Sequence, residues 1–313
     1  MTTSLIDPPD LTPALAYALM AADDRRPATA ITISKFNSYA LKQAFQTIGR
    51  RYGPARTPKG VAIAHLMAGR TALLQTAIPG RAGVDSHAQL LTLQALLADL
   101  RDSDITHVQV LLEPDDIERA HLLRTAGLRR MTALQYQHVD LRRPAAPCAI
   151  PGNAEWVSVE SAGDARFCDI IGRTYEGTMD CPELAGFRTV ADAYAGHVAS
   201  REAGPYSWEL LELGGAPVGV VLVSSGETAG SAELVYCGVV TAQRGRGAGD
   251  LLVARAIERA RSGRATRLVL AVDDRNAPAL RLYARHGLKA IARREVFYAT
   301  RSDLARIGLI TGA

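Results

Sequence analysis

Lysine is almost missing from this 313-residue chain: Lys35, Lys42, Lys59 and Lys289 stand alone among 36 basic residues, and arginine carries the rest. The net charge of +4, with acidic residues interspersed, is too mild for a nucleic-acid surface, and no basic patch is interleaved with aromatics. The arginine bias suits phosphate ligands, and it equally fits a GC-rich genome. Cysteine is scarce as well. Cys148, Cys168, Cys181 and Cys237 show no C-x-x-C spacing, which argues for free thiols in a reducing compartment rather than a disulfide framework or a zinc site. The histidines show no H-x-x-x-H spacing, so no metal is expected. Long apolar runs are lacking too. Ala14 to Ala22 is short and soon meets Asp23, Asp24, Arg25 and Arg26, and no basic leader precedes it. The expectation is a cytoplasmic chain with no membrane span and no signal peptide.

What is present is enough apolar material for two packed cores, at 48% hydrophobic residues. Periodicity and punctuation predict helices over 11–22 and 37–50 with a short strand over 31–34. Strands follow over 61–67 and 71–78, a helix over 87–100, a strand over 106–112, a helix over 116–126 and a strand over 133–139. The proline- and alanine-rich stretch Leu141 to Asn153 reads as a linker. The same order then returns: a strand over 155–159, helices over 164–175 and 190–201, a hairpin over 206–213 and 217–224, a strand ending at Val240, a helix, a strand from Arg267, a helix from Asn276, and a strand over 295–299. A shift of 160 residues lays Gly127-Leu128 on Gly287-Leu288, Thr106 on Thr266 and Leu122 on Leu282, which reads as an internal duplication. Domain boundaries are expected at 1–143 and 144–313.

The stretch Glu233 to Gly249, ELVYCGVVTAQRGRGAG, is the densest in information. An apolar strand breaks into a turn holding Arg244, Gly245, Arg246, Gly247 and Gly249. A helix then follows with Leu252, Val253, Ala256, Ile257 and Ala260 on one face. Strand, glycine turn and helix form a phosphate-holding device, because glycine lets the backbone approach the ligand and the helix N-terminus offers free N–H groups. No Gly-Lys-Ser/Thr ends the turn, so it is not a Walker loop, and the Rossmann spacing is absent.

Arg244-x-x-Gly247-x-Gly249 resembles the coenzyme A pyrophosphate signature of the GNAT acyltransferase superfamily. Asn276, Ala279, Leu282, Tyr283 and Gly287 match its second block, with Leu288 in place of the usual Phe. The resemblance implies two tandem α/β (α+β) domains, each a mixed, mostly antiparallel twisted sheet flanked by helices. It implies an N-acetyltransferase that moves an acetyl group directly from acetyl-CoA to an amine. The coenzyme would lie on Arg244, Gly245, Arg246, Gly247, Ala248, Gly249 and Asn276, with pantetheine on the backbone of Val239 and Val240 and an oxyanion donor near Val239.

Tyr283 is the implied general acid; the other reading of it is an aromatic packed on the sheet. Asn276 bonds the coenzyme, caps its helix, or does both. Glu233, eleven residues before Arg244, is either a general base or a solvated strand-start carboxylate. Arg246, Arg275, Arg281 and Arg285 lie near the expected coenzyme edge, where one could meet the adenosine 3′-phosphate while most read as solvated helix faces, and Cys237 reads as core. Asp180 and Glu183, in the loop Thr178 to Phe187 where relatives form the acceptor wall, either bind a cationic amine there or lie in a plain surface loop. At the shift of 160 the first half places Val84, His87 and Gln89 on Arg244, Gly247 and Gly249, Leu123 on Tyr283, and Asp85 on Gly245. That half has lost the cradle and the acid. The expected partner is a small-molecule or peptide amine, with no nucleic acid and no membrane, in a monomer or homodimer. The alternative is a non-catalytic acyl-CoA sensor or scaffold.

Overall fold

The structure is a computed structural model, and it describes residues 3–6, 46–144, 148–159, 165–202, 205–226 and 228–310. The helix expected over 11–22, the strand over 31–34 and the first part of the helix over 37–50 lie outside those residues. In chain order the described elements are β1 (Thr3–Ile6), β2 (Thr47–Tyr52), β3 (Gly60–Met67), β4 (Thr71–Thr76), α1 (Ser86–Arg101), β5 (His107–Leu112), α2 (Ile117–Thr125) and β6 (Arg129–Asp140). They continue with β7 (Ala154–Ser158), α3 (Ala165–Tyr175), α4 (Val190–Glu202), β8 (Pro205–Leu213), β9 (Ala216–Ser225), β10 (Ser231–Val239) and α5 (Ala248–Ser262). The last are β11 (Arg267–Asp273), α6 (Ala277–Arg285), β12 (Lys289–Thr300) and α7 (Arg301–Ile310).

Two compact units result, residues 1–131 with 295–313 and residues 132–294. They cross the expected boundary because the closing strands are exchanged. In unit 1 the order is β1-β2-β3-β4-β5-β12, where Glu295 to Thr300 of β12 run antiparallel to His107 to Leu112 of β5. In unit 2 the order is β6-β11-β10-β9-β8-β7, where Asp140 to Leu134 of β6 run antiparallel to Arg267 to Asp273 of β11. Both sheets are therefore mixed and mostly antiparallel. The exception in each is one short parallel ladder.

Those ladders carry the duplication. Thr71, Ala72 and Leu73 of β4 pair with His107, Val108 and Gln109 of β5. Ser231, Ala232 and Glu233 of β10 pair with Arg267, Leu268 and Val269 of β11, every residue 160 further on. Asp116 and Asn276, also 160 apart, both accept a backbone N–H to cap the helix that follows. Thr47 to Arg50, expected as the end of a helix, belong instead to β2, where Thr47 pairs with His65 and Arg50 with Ala62. Ladder pairing overrides local helix preference there.

In unit 2, Leu252, Val253, Ala256, Ile257 and Ala260 of α5 are buried in one core cluster with β9, where the Gly219 and Val221 face meets the helix, as the spacing predicts. One polar contact fixes the same helix from the side. Glu209 on β8 is only 1% exposed and accepts paired hydrogen bonds from Arg255 at 2.7 and 2.9 Å and from Arg259 at 2.6 and 3.0 Å. Burial pushes its carboxyl up, but the hydrogen bonds from Arg259 and Arg255 outweigh this and hold it at about 2. Because the folded value is depressed, the stabilisation is full above the unfolded value near 4.5 and fades as pH falls toward 2. Glu209→Ala removes the acceptor that Arg255 and Arg259 share, leaving Arg255 only Glu258, and is expected to destabilise unit 2 by about 3 kcal/mol at pH 7. The urea midpoint followed by tryptophan fluorescence reports it, since Trp156 and Trp208 both lie in unit 2. The gap between variant and wild type is expected to close in acid. Equal midpoints at pH 7 would show that the clamp adds nothing.

Candidate functional site

The turn before α5 has the backbone its glycines predict. Gly245 and Gly247 hold φ of 73° and 87°, a region that side chains disfavour. Gly247 is the N-cap of α5 and supplies no capping side chain. Asp250 and Leu251 donate back to the Gly247 carbonyl. The backbone N–H groups of Gly245, Arg246, Gly247, Ala248 and Gly249 meet no acceptor among the described residues. Such a row of bared donors at the positive end of a helix dipole is an anion cradle. Gly249 meets a separate demand: a Cβ there would come within 3.0 Å of Leu282 on α6, so glycine lets the two helices close up.

Arg244 does something else. Its Nε donates to Val239 O at 3.0 Å, Nη1 to Gly177 O at 2.9 Å and Nη2 to Thr174 O at 2.9 Å. The guanidinium expected on phosphate instead ties the end of α3 to the end of β10. Arg246 is exposed and makes no side-chain hydrogen bond or ion pair among the described residues, so it is the arginine of this turn free to meet an anion. Arg281 is likewise unpaired, whereas Arg285 pairs with Asp250 at 2.8 Å and Arg275 is bound elsewhere.

Beyond Glu233 and Val269 the parallel ladder ends. β10 shifts register against β9 between Leu234 and Tyr236 and follows β9 to Val239, while β11 stays with β6 to Asp273. The strands part, and a cavity of about 490 Å³ opens between them. The glycine turn, Leu234 to Val239, Leu270 to Val272, Asn276 and Tyr283 all line it. Val240 does not. Its N–H donates to Val218 O at 2.9 Å and its carbonyl accepts from Gln243, which removes it from the expected pair of backbone ligands. In an antiparallel ladder neighbouring residues face opposite ways, so Val239 and Cys237 turn their N–H groups toward the opening.

Tyr283 is 9% exposed, and its hydroxyl has no hydrogen-bond partner among the described residues. Burial, then the neighbouring Cys237, Asp180 and Tyr236, push its phenol well above the usual value, so it stays a neutral donor. Burial likewise lifts the Cys237 thiol to about 12, which suits a wall residue and not a nucleophile. Asn276 accepts from the Ala279 N–H at 3.2 Å and also lines the cavity, so it caps the helix from inside the site. Glu233 sits where β10 is still paired on both sides, with Ser224 and with Val269, and is not among the lining residues.

A carboxylate that does line the cavity is Asp180. The Asp273 N–H donates to its Oδ1 at 2.8 Å, and the Cys181 N–H donates to Asp273 Oδ2 at 3.0 Å, locking the loop to the end of β11. Cys181 holds φ of 45° and ψ of 58°, a left-handed conformation this reciprocal pair sustains. Asp273 is fully buried. Burial raises its carboxyl, but hydrogen bonds from Arg275, Thr132 and Cys181 outweigh this and hold it below the usual value, so it stays ionised. Arg275 spans Asp273 and Glu183, at 2.7 and 2.6 Å, which occupies Glu183. Asp180 keeps one oxygen without a partner among the described residues. Burial raises its carboxyl, with Asp273 close by, despite Arg188 and Arg275. The sequence leaves Asp180 open between an acceptor wall and a surface loop, and gives no sign of Asp273, Arg188 or Tyr236 beside it. Their spacing along the chain carries no periodic signal.

Unit 1 shows the same frame filled in. Asp85, in place of Gly245, caps α1 with its own carboxylate, accepting from the Ala88 N–H at 2.8 Å. Gln89, in place of Gly249, bonds both the N–H and the carbonyl of Val61, at 2.8 and 2.9 Å, and is fully buried. Arg119 pairs with Asp116 and reaches the Thr76 carbonyl. Leu123, in place of Tyr283, is fully buried. Side chains of the unit itself occupy the positions that stand open in unit 2.

The fold and site of unit 2 define a class, and the comparisons identify it. Residues 172–288 match the family model described as Acetyltransferase (GNAT) family, and unit 2 carries a GNAT acetyltransferase domain. The tandem fold is shared with a GCN5-related N-acetyltransferase from Sphaerobacter thermophilus, at TM-score 0.65 and 18% identity, covering 96% of each chain. It is shared also with a tandem GNAT protein from the clavulanic acid biosynthesis pathway, at TM-score 0.61 and 17% identity, covering 96% of this chain and 98% of that one. A glucosamine N-acetyltransferase region of a fungal multi-domain β-N-acetylglucosaminidase aligns at TM-score 0.67 and 14% identity, covering 95% of this chain and 38% of that one. No curated protein sequence matches the chain. Among the described residues no helix is long and apolar enough to cross a membrane, and no group of three or more His, Cys, Asp or Glu could hold a metal.

Proposed function

We propose that unit 2 transfers an acetyl group from acetyl-CoA directly to an amine. One observation carries the reading: the uncapped glycine turn, the parted strands and the unpartnered Tyr283 hydroxyl line one cavity. The residues fit the coenzyme, since five bared N–H groups and Arg246 match a diphosphate and the apolar strand walls match an extended thiol arm. Bound acetyl-CoA supplies a thioester with an acyl carbon open to attack.

The chain does the rest. The N–H groups of Gly245 to Gly249 hold the diphosphate, and the N–H groups of Cys237 and Val239 face the opening as donors to the arm and the acyl oxygen. Asp180 takes the proton from the attacking nitrogen, and Tyr283 gives its hydroxyl proton to the departing sulfur. Asp180 replaces Glu233 in this role because it faces the cavity and Glu233 does not. Holding both reactants in one cleft supplies much of the acceleration.

Calorimetry with acetyl-CoA tests the coenzyme site. Gly245→Asp places at the turn the carboxylate that unit 1 carries as Asp85. It is expected to weaken binding at least tenfold, about 1.4 kcal/mol or more, by repulsion of the diphosphate. Unchanged affinity in that variant, or no binding by the wild type, overturns the reading. Tight binding with no transfer to any amine in a broad panel would instead indicate a sensor or scaffold.

A further inference from the structure

We propose that the amine acceptor is a small amino-carboxylate, its ammonium held by Asp180 and its carboxylate by Arg188 in a pocket beside the cleft. The inference deepens the acyl-transfer reading and rests on it for what then happens to the amine. A pocket of about 140 Å³ lies between the end of α3, the loop after it and the start of α4. It shares Thr178 and Asp180 with the large cavity, so a group held there by Asp180 stands at the mouth of the cleft.

The charges around this pocket are unevenly spent. Glu183 and Asp273 are occupied by Arg275. Asp180 retains one free carboxylate oxygen, and the Arg188 side chain makes no hydrogen bond or ion pair among the described residues. The Arg188 guanidinium lies 5.7 Å over the Tyr175 ring, which orients it without neutralising it. An anion and a cation thus line one pocket and make no ion pair with each other. Two opposite charges left apart, one on an exposed Asp180 and one on a half-buried Arg188, are complementary to a ligand with the reverse pair.

Leu184, Ala185, Val190 and Ala193 supply apolar wall, with Thr189 and Cys181 among them, so the body of the ligand is largely apolar, and the volume holds it to a short side chain. Met179, which lines the large cavity, and Val190, which lines the small pocket, are apolar and exposed at 48% and 44%. A lone amine would leave Arg188 unmet, and a bulky or polyhydroxylated acceptor would not enter.

The test is calorimetry of the whole chain without coenzyme, using alanine, alaninamide, propionate and ethylamine, with acetyl-CoA titrated in parallel. Alanine is expected to bind at least tenfold more tightly than each of the other three. Arg188→Gln is expected to abolish the preference for alanine over alaninamide, and Asp180→Asn the preference for alanine over propionate. Arg188→Lys, which keeps the charge, is expected to retain part of the first preference and shows that the fold survives. Equal binding of alanine and alaninamide, or preferences unmoved by Arg188→Gln, overturns the proposal. If acetyl-CoA binds and alanine does not, the pocket proposal falls and the acyl-transfer reading stands. If alanine binds with the stated preferences and acetyl-CoA does not, the reverse holds.

Discussion

Tyr283→Phe is expected to lower kcat for acetyl transfer about 10²- to 10⁴-fold while the dissociation constant of acetyl-CoA changes less than about threefold. The two effects separate because the ring and the hydroxyl do different things. The ring belongs to the buried core cluster of unit 2, and phenylalanine preserves that packing. The hydroxyl bonds nothing else among the described residues, so its removal leaves no buried partner stranded. A purely structural tyrosine would then tolerate the change with little loss of turnover. Burial, with Cys237, Asp180 and Tyr236 around it, keeps the phenol protonated through the working pH range, as a donor to a leaving thiolate must be. Stopped assays of thiol release at saturating amine measure kcat, and calorimetry measures coenzyme affinity. A kcat within threefold of wild type would remove Tyr283 from the chemistry.

The parts of this site that were legible in the sequence are those fixed by local backbone demands. Gly245 and Gly247 announce a turn because few other residues hold φ near 73° and 87°. Leu252, Val253, Ala256, Ile257 and Ala260 announce the buried face of α5 by their spacing. Asn276 precedes Ala277-Pro278 as a cap should, and it caps. The duplication was legible through Gly127-Leu128 and Gly287-Leu288, and the two parallel ladders repeat it residue for residue. What stayed hidden depends on contacts made across long stretches of chain. Arg244 looks like a phosphate ligand in isolation, but its partners are carbonyls at Thr174 and Gly177, on another element. Glu233 stands at a suggestive distance from Arg244, yet spacing along β10 cannot tell where β10 and β11 cease to pair, and Glu233 falls on the paired side. Asp180 lies in a loop without periodicity, aimed by Asp273 from the far end of β11. The exchange of β6 and β12 is equally silent, because a closing strand reads the same whichever sheet it joins.

Asp180→Asn is expected to lower kcat/KM for the amine about 10²- to 10⁴-fold, whereas Glu233→Gln changes it less than about threefold. The asparagine variant is a fair probe because its side-chain oxygen can still accept the Asp273 N–H that locks the loop. The carboxylate must be ionised to take a proton. Burial sets its value above the ordinary 3.8, so the wild-type rate is expected to fall as pH drops through a point higher than a solvated aspartate would give. The other groups facing Asp180 do not reproduce this limb. Asp273 and Glu183 are held below their usual values by Arg275 and remain ionised to lower pH. Burial keeps the Cys181 thiol and the Tyr175 and Tyr283 phenols neutral, and hydrogen bonds to Glu183 and Asp273 keep Arg275 charged. The acid limb should therefore vanish in Asp180→Asn and persist in Glu233→Gln, measured as kcat/KM against pH with one amine. If the limb instead persists in Asp180→Asn and vanishes in Glu233→Gln, the proton leaves by way of β10, and Asp180 only holds the acceptor.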